Sequence, residues 1–205
     1  VPNDSFFPSM FEYIEAADLP RLEAAALSGS RRAAERLAKY YRDKGLQGEG
    51  IVAVSPDPGR AKMARRFGQM LEGDLAILNK ARPGHDEAAV TEVIGRVDGK
   101  VAIMSDDIVV TGGTLIAGAE ALLEAGATEV YACATHGLFP GNAFEKITAS
   151  KLKQVTVTNT VPIDPVNRPE KIDVLPVSSL LAETILNVFA DDSVSAIFAG
   201  ENQLF

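Results

Sequence analysis

Residues Val101 to Ala127 read VAIMSDDIVVTGGTLIAGAEALLEAGA, and this stretch decides the fold. It opens with an apolar run, Val101 to Met104, that predicts a strand, passes through two adjacent acids, and then reaches a Thr-Gly-Gly-Thr loop. Apolar residues at helical spacing follow from Thr114 to Ala125. A short Val- and Ile-rich run bounded by Gly is a buried strand, and the change from continuous apolarity to a 3.6-residue period marks the passage into a helix. Glycines let a backbone approach a ligand closely, and the exposed N–H groups at a helix start favour an anion. Thr111 and Thr114 add hydroxyl donors to Gly112 and Gly113. Asp106 and Asp107 would repel a phosphate at close range, yet carboxylates accept hydrogen bonds from vicinal hydroxyls or hold a cation through water. A bare Gly-Gly turn beside solvent-facing acids would share some of these letters. The ordered series of strand, acid pair, two Thr flanking two Gly, and helix instead describes a cradle for a sugar phosphate.

The same alternation extends in both directions. Apolar runs at Ile51 to Ser55, Leu75 to Leu78, Val130 to Ala134, Val155 to Val157 and Ile172 to Val177 predict further strands. Helical patterns are expected over Lys62 to Leu71, Ala143 to Ser150 and Ser179 to Phe189. Short continuous strands separated by helices predict an α/β fold, with a mainly parallel sheet covered by helices on both faces. In such a sheet ligands bind beyond the carboxyl ends of the strands. Upstream, Met10 to Lys44 is rich in Ala, Leu, Glu and Arg, with a break at Ser28-Gly29-Ser30, and predicts two helices. The expected organisation is an amino-terminal helical segment over 1–48, packed on an α/β domain over 49–205.

Composition narrows the function classes. The chain has 205 residues, of which 46% are hydrophobic and 23% charged, in keeping with a globular domain. A net charge of −8 argues against a nucleic-acid backbone as partner, because such binders spread Lys and Arg over one face. No run approaches the roughly 18 to 20 apolar residues that span a bilayer. The start VPNDSFF lacks a basic region followed by an apolar core. One cysteine, Cys133, lies in the apolar run VYACAT and has no partner for an intramolecular disulfide. It reads as a buried structural thiol in a cytoplasmic protein. The chain begins without Met, which is compatible with a piece of something longer.

An apolar strand, two acids and a Thr-Gly-Gly-Thr loop resemble the phosphoribosyltransferase-fold family, type I. The likeness extends well beyond that signature. ATHGLFPGNAFEKI, VTNTVPI, LPVSSLLAETI and SVSAIFAG, together with VSPDPGRAKMARRF and LNKARPGHDEAAVTEVIGRVDGKVAI upstream, resemble the carboxyl-terminal half of the ribose-phosphate pyrophosphokinases, also called phosphoribosyl pyrophosphate synthetases. The resemblance runs from about Ile51 to the end. It implies ribose 5-phosphate, ATP and phosphoribosyl pyrophosphate as ligands, Mg²⁺ as the metal, and a homo-oligomer. It implies that Asp106 and Asp107 accept the ribose hydroxyls, and that Thr111, Gly112, Gly113 and Thr114 hold the 5-phosphate. Lys80 and Arg82 match the basic pair of a catalytic loop, expected here over Asn79 to Ala88. Asp57 and Gly59, in SPDPG, match positions beside the diphosphate and metal, although Asp57 would serve equally as a helix or turn cap. His136, in THGLF, is expected to have a structural hydrogen bond, and His85 to be solvated.

The sequence also departs from that pattern. Val110 stands where the synthetases carry an acid, Ala81 where they carry a basic residue, and Arg60 where they commonly have Gly. Arg60 would either crowd a diphosphate or neutralise it. About 25 extra residues lie in the amino-terminal helical region. Nothing corresponds to the similarly folded amino-terminal half that supplies much of the nucleotide site. The leading expectation is a ribose-phosphate diphosphokinase represented by its sugar-phosphate half. The alternatives are a phosphoribosyltransferase that consumes phosphoribosyl pyrophosphate and a non-catalytic, synthetase-associated subunit.

Overall fold

The computed structural model describes residues 33–81, 90–178 and 182. A helix over 33–43, α1, leads into β1 (Ile51–Ser55), a 3₁₀ turn (Pro58–Arg60) and α2 (Ala61–Met70). There follow β2 (Asp74–Ala81), β3 (Val90–Ile94), β4 (Val101–Val109), α3 (Gly113–Glu124), β5 (Glu129–Gly137), α4 (Ala143–Ala149), β6 (Gln154–Thr158) and β7 (Ile172–Leu175). The seven strands among the described residues form one sheet in the order β3-β2-β1-β4-β5-β6-β7, parallel throughout except for the antiparallel edge strand β3.

The continuous apolar strands are buried on both faces, because alternate residues enter two different cores. Val52, Val54, Ala102, Met104, Ala132 and Val155 pack with Leu115, Ala119 and Leu122 of α3 and Ile147 of α4. Their sequence neighbours Ile51, Ala53, Ile103 and Cys133 pack instead with Leu37, Ala38 and Tyr41 of α1 and Phe67 of α2. Tyr41 is wholly buried, and its hydroxyl donates to the Ala132 carbonyl at 3.0 Å and lies 3.2 Å from Thr156 Oγ1. The described part of the amino-terminal region is thus part of the core of the sheet. Cys133 is a free, buried thiol, which burial holds far above its ordinary pKa. Among the described residues no helix is long and apolar enough to cross a membrane.

Three local expectations are corrected. The segment expected as a loop from Asn79 begins as strand: β2 continues through Asn79, Lys80 and Ala81, which pair with Glu92, Thr91 and Val90 of β3. The run VTEVI supplies the partner that extends β2, a β-branched cue that the polar surroundings obscured. β4 runs five residues past Met104, because β5 keeps it in register as far as Val109 opposite Gly137. β7 stops at Leu175, before Pro176, rather than at Val177. The first of the two amino-terminal helices and nearly all of the helix expected over 179–189 lie outside the described residues.

Candidate sugar-phosphate site

The connections from β1 lead to one side of the sheet and those from β4 to the other, so the chain changes winding direction between these two neighbours. Loops leaving adjacent strands in opposite directions open a crevice at their carboxyl ends. The candidate residues converge there.

From β1 the chain enters Pro56-Asp57-Pro58-Gly59-Arg60. Ser55 Oγ donates to the Asp57 carbonyl at 2.6 Å, and Asp57 Oδ1 accepts the backbone N–H of Arg60 at 3.2 Å. Asp57 therefore caps the 3₁₀ turn, the structural role its sequence context allowed. The turn aims Arg60 across the crevice at β4. Its Nε lies 3.0 Å from Asp106 Oδ1, its Nη1 2.7 Å from Asp107 Oδ2, and its Nε 3.7 Å from Asp57 Oδ2.

Asp106 and Asp107 occupy the last turn of pleat in β4. Asp106, whose side chain is 15% exposed, borders a small hollow also lined by Leu37, Met63, Phe67, Ser105 and Cys133. Its carboxyl is pushed up to about 6 by desolvation, against the charge of Arg60, and Asp106 Oδ1 also accepts the Asp107 N–H at 2.8 Å. Asp107 also feels desolvation, but hydrogen bonds from Arg60 and Asp106 outweigh it and hold its carboxyl below the usual range. The pair thus has one reluctant and one ready anion. Asp107 Oδ1 is buried without a hydrogen-bond partner.

Beyond Val110 the loop turns at Gly112, whose φ of 76° is left-handed and whose missing Cβ would lie 3.0 Å from Ile147 Cγ1. Gly112 begins α3 without any side-chain cap, so the first N–H groups of the helix are left for another acceptor. Thr111, Gly113 and Thr114 are exposed around that end. A Cβ at Gly113 would meet only Thr111 Oγ1, at 3.7 Å, so packing does not demand that glycine. The uncapped helix end and a glycine unneeded by the fold together suit a bound anion.

The backbone of Lys80 reaches the same edge at the carboxyl end of β2, next to β1. Arg82 and His85 lie outside the described residues. His136 Nδ1 is 2.8 Å from Thr160 Oγ1, the hydrogen bond expected of it. Val110 is 44% exposed, at the rim between the acids and the cradle. The residue underweighted by sequence reasoning is Arg60. It stood out only as a departure, since nothing local shows that its side chain reaches across to a different strand.

The model of the phosphoribosyl synthetase-associated domain matches residues 82–199, more than half of the chain. The chain belongs to the phosphoribosyl synthetase-associated domain family. It is 47% identical over 162 residues to the ribose-phosphate pyrophosphokinase of Caldanaerobacter subterraneus, covering 79% of this chain and 51% of that protein. A ribose-phosphate pyrophosphokinase 2 of Arabidopsis thaliana is 46% identical over 160 residues, 78% of this chain and 40% of that one. The crystal structure of phosphoribosylpyrophosphate synthetase from Mycobacterium smegmatis superposes with a TM-score of 0.68 at 35% identity, covering 78% of this chain and 51% of that one. The chain spans about half the length of the curated relatives it matches. The fold is that of the type I phosphoribosyltransferases: the APRTase of Giardia lamblia superposes with a TM-score of 0.50 at 18% identity, over 70% of this chain and 83% of that one.

The Mg²⁺ implied by the resemblance finds no protein-only seat among the described residues. They hold no group of three His, Cys, Asp or Glu side chains arranged for a metal, and the guanidinium of Arg60 lies against the carboxylates that would be its ligands.

Proposed function

We propose that this chain is the sugar-phosphate half of a ribose-phosphate diphosphokinase, which transfers a diphosphoryl group from ATP to ribose 5-phosphate to give phosphoribosyl pyrophosphate. The observation that carries the reading is the uncapped amino end of α3 lying just beyond Asp106 and Asp107 at the β1/β4 crevice. An anion cradle and hydroxyl acceptors a few residues apart match the two ends of one ribose 5-phosphate. In this reading Thr111, Gly112, Gly113 and Thr114 hold the 5-phosphate with backbone N–H groups and hydroxyls. Asp106 and Asp107 accept from the ribose hydroxyls.

The anomeric hydroxyl then attacks the β-phosphorus of ATP and AMP leaves. Catalysis of such transfers consists largely of positioning and charge stabilisation. Lys80 at the end of β2 and Arg82 beyond it would meet the transferring phosphates, Lys as a point charge and Arg as a bidentate donor. Asp57 and Gly59 would border the diphosphate. Any Mg²⁺ enters with the phosphates of ATP, held by them and by water. The reading also carries a cytoplasmic location and a homo-oligomer, the former supported by the free buried thiol and the latter by the family resemblance alone.

Calorimetry with ribose 5-phosphate tests the pocket. The wild type should bind, and Asp107→Ala should bind at least tenfold more weakly. Absence of binding to the wild type at millimolar concentration would sink the assignment. Arg60 paired with both acids favours a second reading, a synthetase-associated subunit that binds the sugar phosphate without turnover. Product formation from ATP and ribose 5-phosphate by the whole native protein would decide against that one.

A further inference from the structure

One guanidinium meets three carboxylates at the mouth of the crevice. Asp57 belongs to the loop after β1, Asp106 and Asp107 belong to β4, and Arg60 bridges the two sides at 2.7 to 3.7 Å. Their negative charge needs a counter-charge, and here the cation is covalently part of the chain. The turn locks it in place, since the Arg60 N–H binds Asp57 Oδ1 while the side chain leans on β4.

We infer that Arg60 is the resident cation of this pocket, standing between Asp57, Asp106 and Asp107 in place of a divalent ion, so that the sugar phosphate binds without a protein-held metal. The inference rests on the sugar-phosphate reading of the pocket for its ligand, and on the ion pairs alone for the cation.

Two features separate this arrangement from a plugged site. Asp107 Oδ2 accepts one bond from Arg60 and keeps a second lone pair for a hydroxyl, so the acid pair remains an acceptor. The Arg60 side chain is 35% exposed, so an edge of the guanidinium still faces an incoming anion. A divalent ion approaching the same carboxylates would meet a positive charge at contact distance and find Asp106 Oδ1 and Asp107 Oδ2 already paired with it. Removing that charge should therefore convert a metal-indifferent site into a metal-binding one.

The test uses the full chain in two arms. In the first, Mn²⁺ binding is followed by electron paramagnetic resonance with no sugar present. R60Q and R60G should bind Mn²⁺ at least tenfold more tightly than the wild type, R60K should behave as the wild type, and adding Asp107→Ala to R60Q should abolish the gain. In the second, calorimetry measures ribose 5-phosphate binding in EDTA and in Mg²⁺. Wild-type affinity should agree within twofold between the buffers, whereas R60Q should lose tenfold in EDTA and recover with Mg²⁺. Equal Mn²⁺ affinity in wild type and both neutral variants overturns the inference, as does a tenfold Mg²⁺ requirement in the wild type. If no protein binds ribose 5-phosphate but R60Q gains Mn²⁺, the sugar-phosphate reading fails while the resident cation stands.

Discussion

Adjacent glycines in the Thr-Gly-Gly-Thr loop should respond in opposite ways to the same added methyl group. At Gly112 an alanine must adopt φ near 76°, which costs an L-residue about 1–2 kcal/mol. Its Cβ also lands 3.0 and 3.1 Å from two Ile147 side-chain carbons, and displacing a buried isoleucine adds overpacking of about 1 kcal/mol or more. Restriction of the unfolded chain returns about 0.4–1 kcal/mol. Gly112→Ala should therefore be destabilised by about 1–3 kcal/mol. At Gly113 the φ is not left-handed and the new Cβ meets a single oxygen at 3.7 Å, so Gly113→Ala should be neutral or more stable by about 0.5–1 kcal/mol. With a urea slope of about 2 kcal/mol/M, the two midpoints should differ by about 0.5–2 M. Binding should follow the other ranking at Gly113, where a methyl on the anion-facing side displaces the phosphate from charge-assisted N–H bonds of about 1.5–3 kcal/mol each. Ribose 5-phosphate should bind Gly113→Ala about tenfold more weakly or worse, with the protein fully folded. A Gly113→Ala protein that binds as the wild type would refute the cradle. A Gly112→Ala protein of wild-type stability would refute the loop geometry.

Substitutions at three further positions probe the frame and the electrostatics. Asp106 has its folded pKa raised to about 6 from 3.8, so the native state holds the extra proton and stability from this group is present at low pH and lost as pH rises through 6. Asp107, shifted the opposite way, offsets part of this, so Asp106→Asn should gain about 1–2 kcal/mol at pH 7.5, shrinking towards zero by pH 4, in urea titrations across that range. Tyr41→Phe should cost about 1–2 kcal/mol through the lost bond to Ala132, and Tyr41→Ala about 3–5 kcal/mol, if α1 is integral to the core; a Tyr41→Ala midpoint within error of the wild type would make that helix an appendage. Gly118→Ala places a Cβ 2.7 Å from Leu78 Cδ1 and 2.9 Å from Met104 Sδ, and should lower stability by about 1–3 kcal/mol, since α3 lies closely against β2 and β4 at that point; an unchanged thermal midpoint would contradict that approach.

The sheet was largely legible because a doubly covered parallel strand is written as uninterrupted apolar residues, and IVAVS, VAIM and VYACA need no partner in view to be recognised. Legibility failed where pairing, rather than composition, decides the structure. Asn79 and Lys80 are polar and sit near Pro and Gly, yet they are strand because β3 folds back on them. Asp106 and Asp107 look like residues beyond a strand end, yet β5 carries the ladder past them. The first reading placed Asn79 and Lys80 on a loop where the fold has strand, and the second placed the acids at the end of a strand whose pairing continues past them; in both cases the candidate residues gain a stiffer support than expected.

Arg60 shows the same limit at the level of chemistry. Its neighbours in sequence are Gly59 and Ala61, and no local pattern distinguishes an arginine aimed at solvent from one aimed at two aspartates some 46 residues downstream. Sequence could nominate Asp106 and Asp107 from their own motif because strand, acids, loop and helix are contiguous. It could not say what charge faces them, because that is set by the adjacency of β1 and β4 across the change in winding direction. The motif alone therefore nominates the candidate residues, and the sheet order specifies how their charge is balanced.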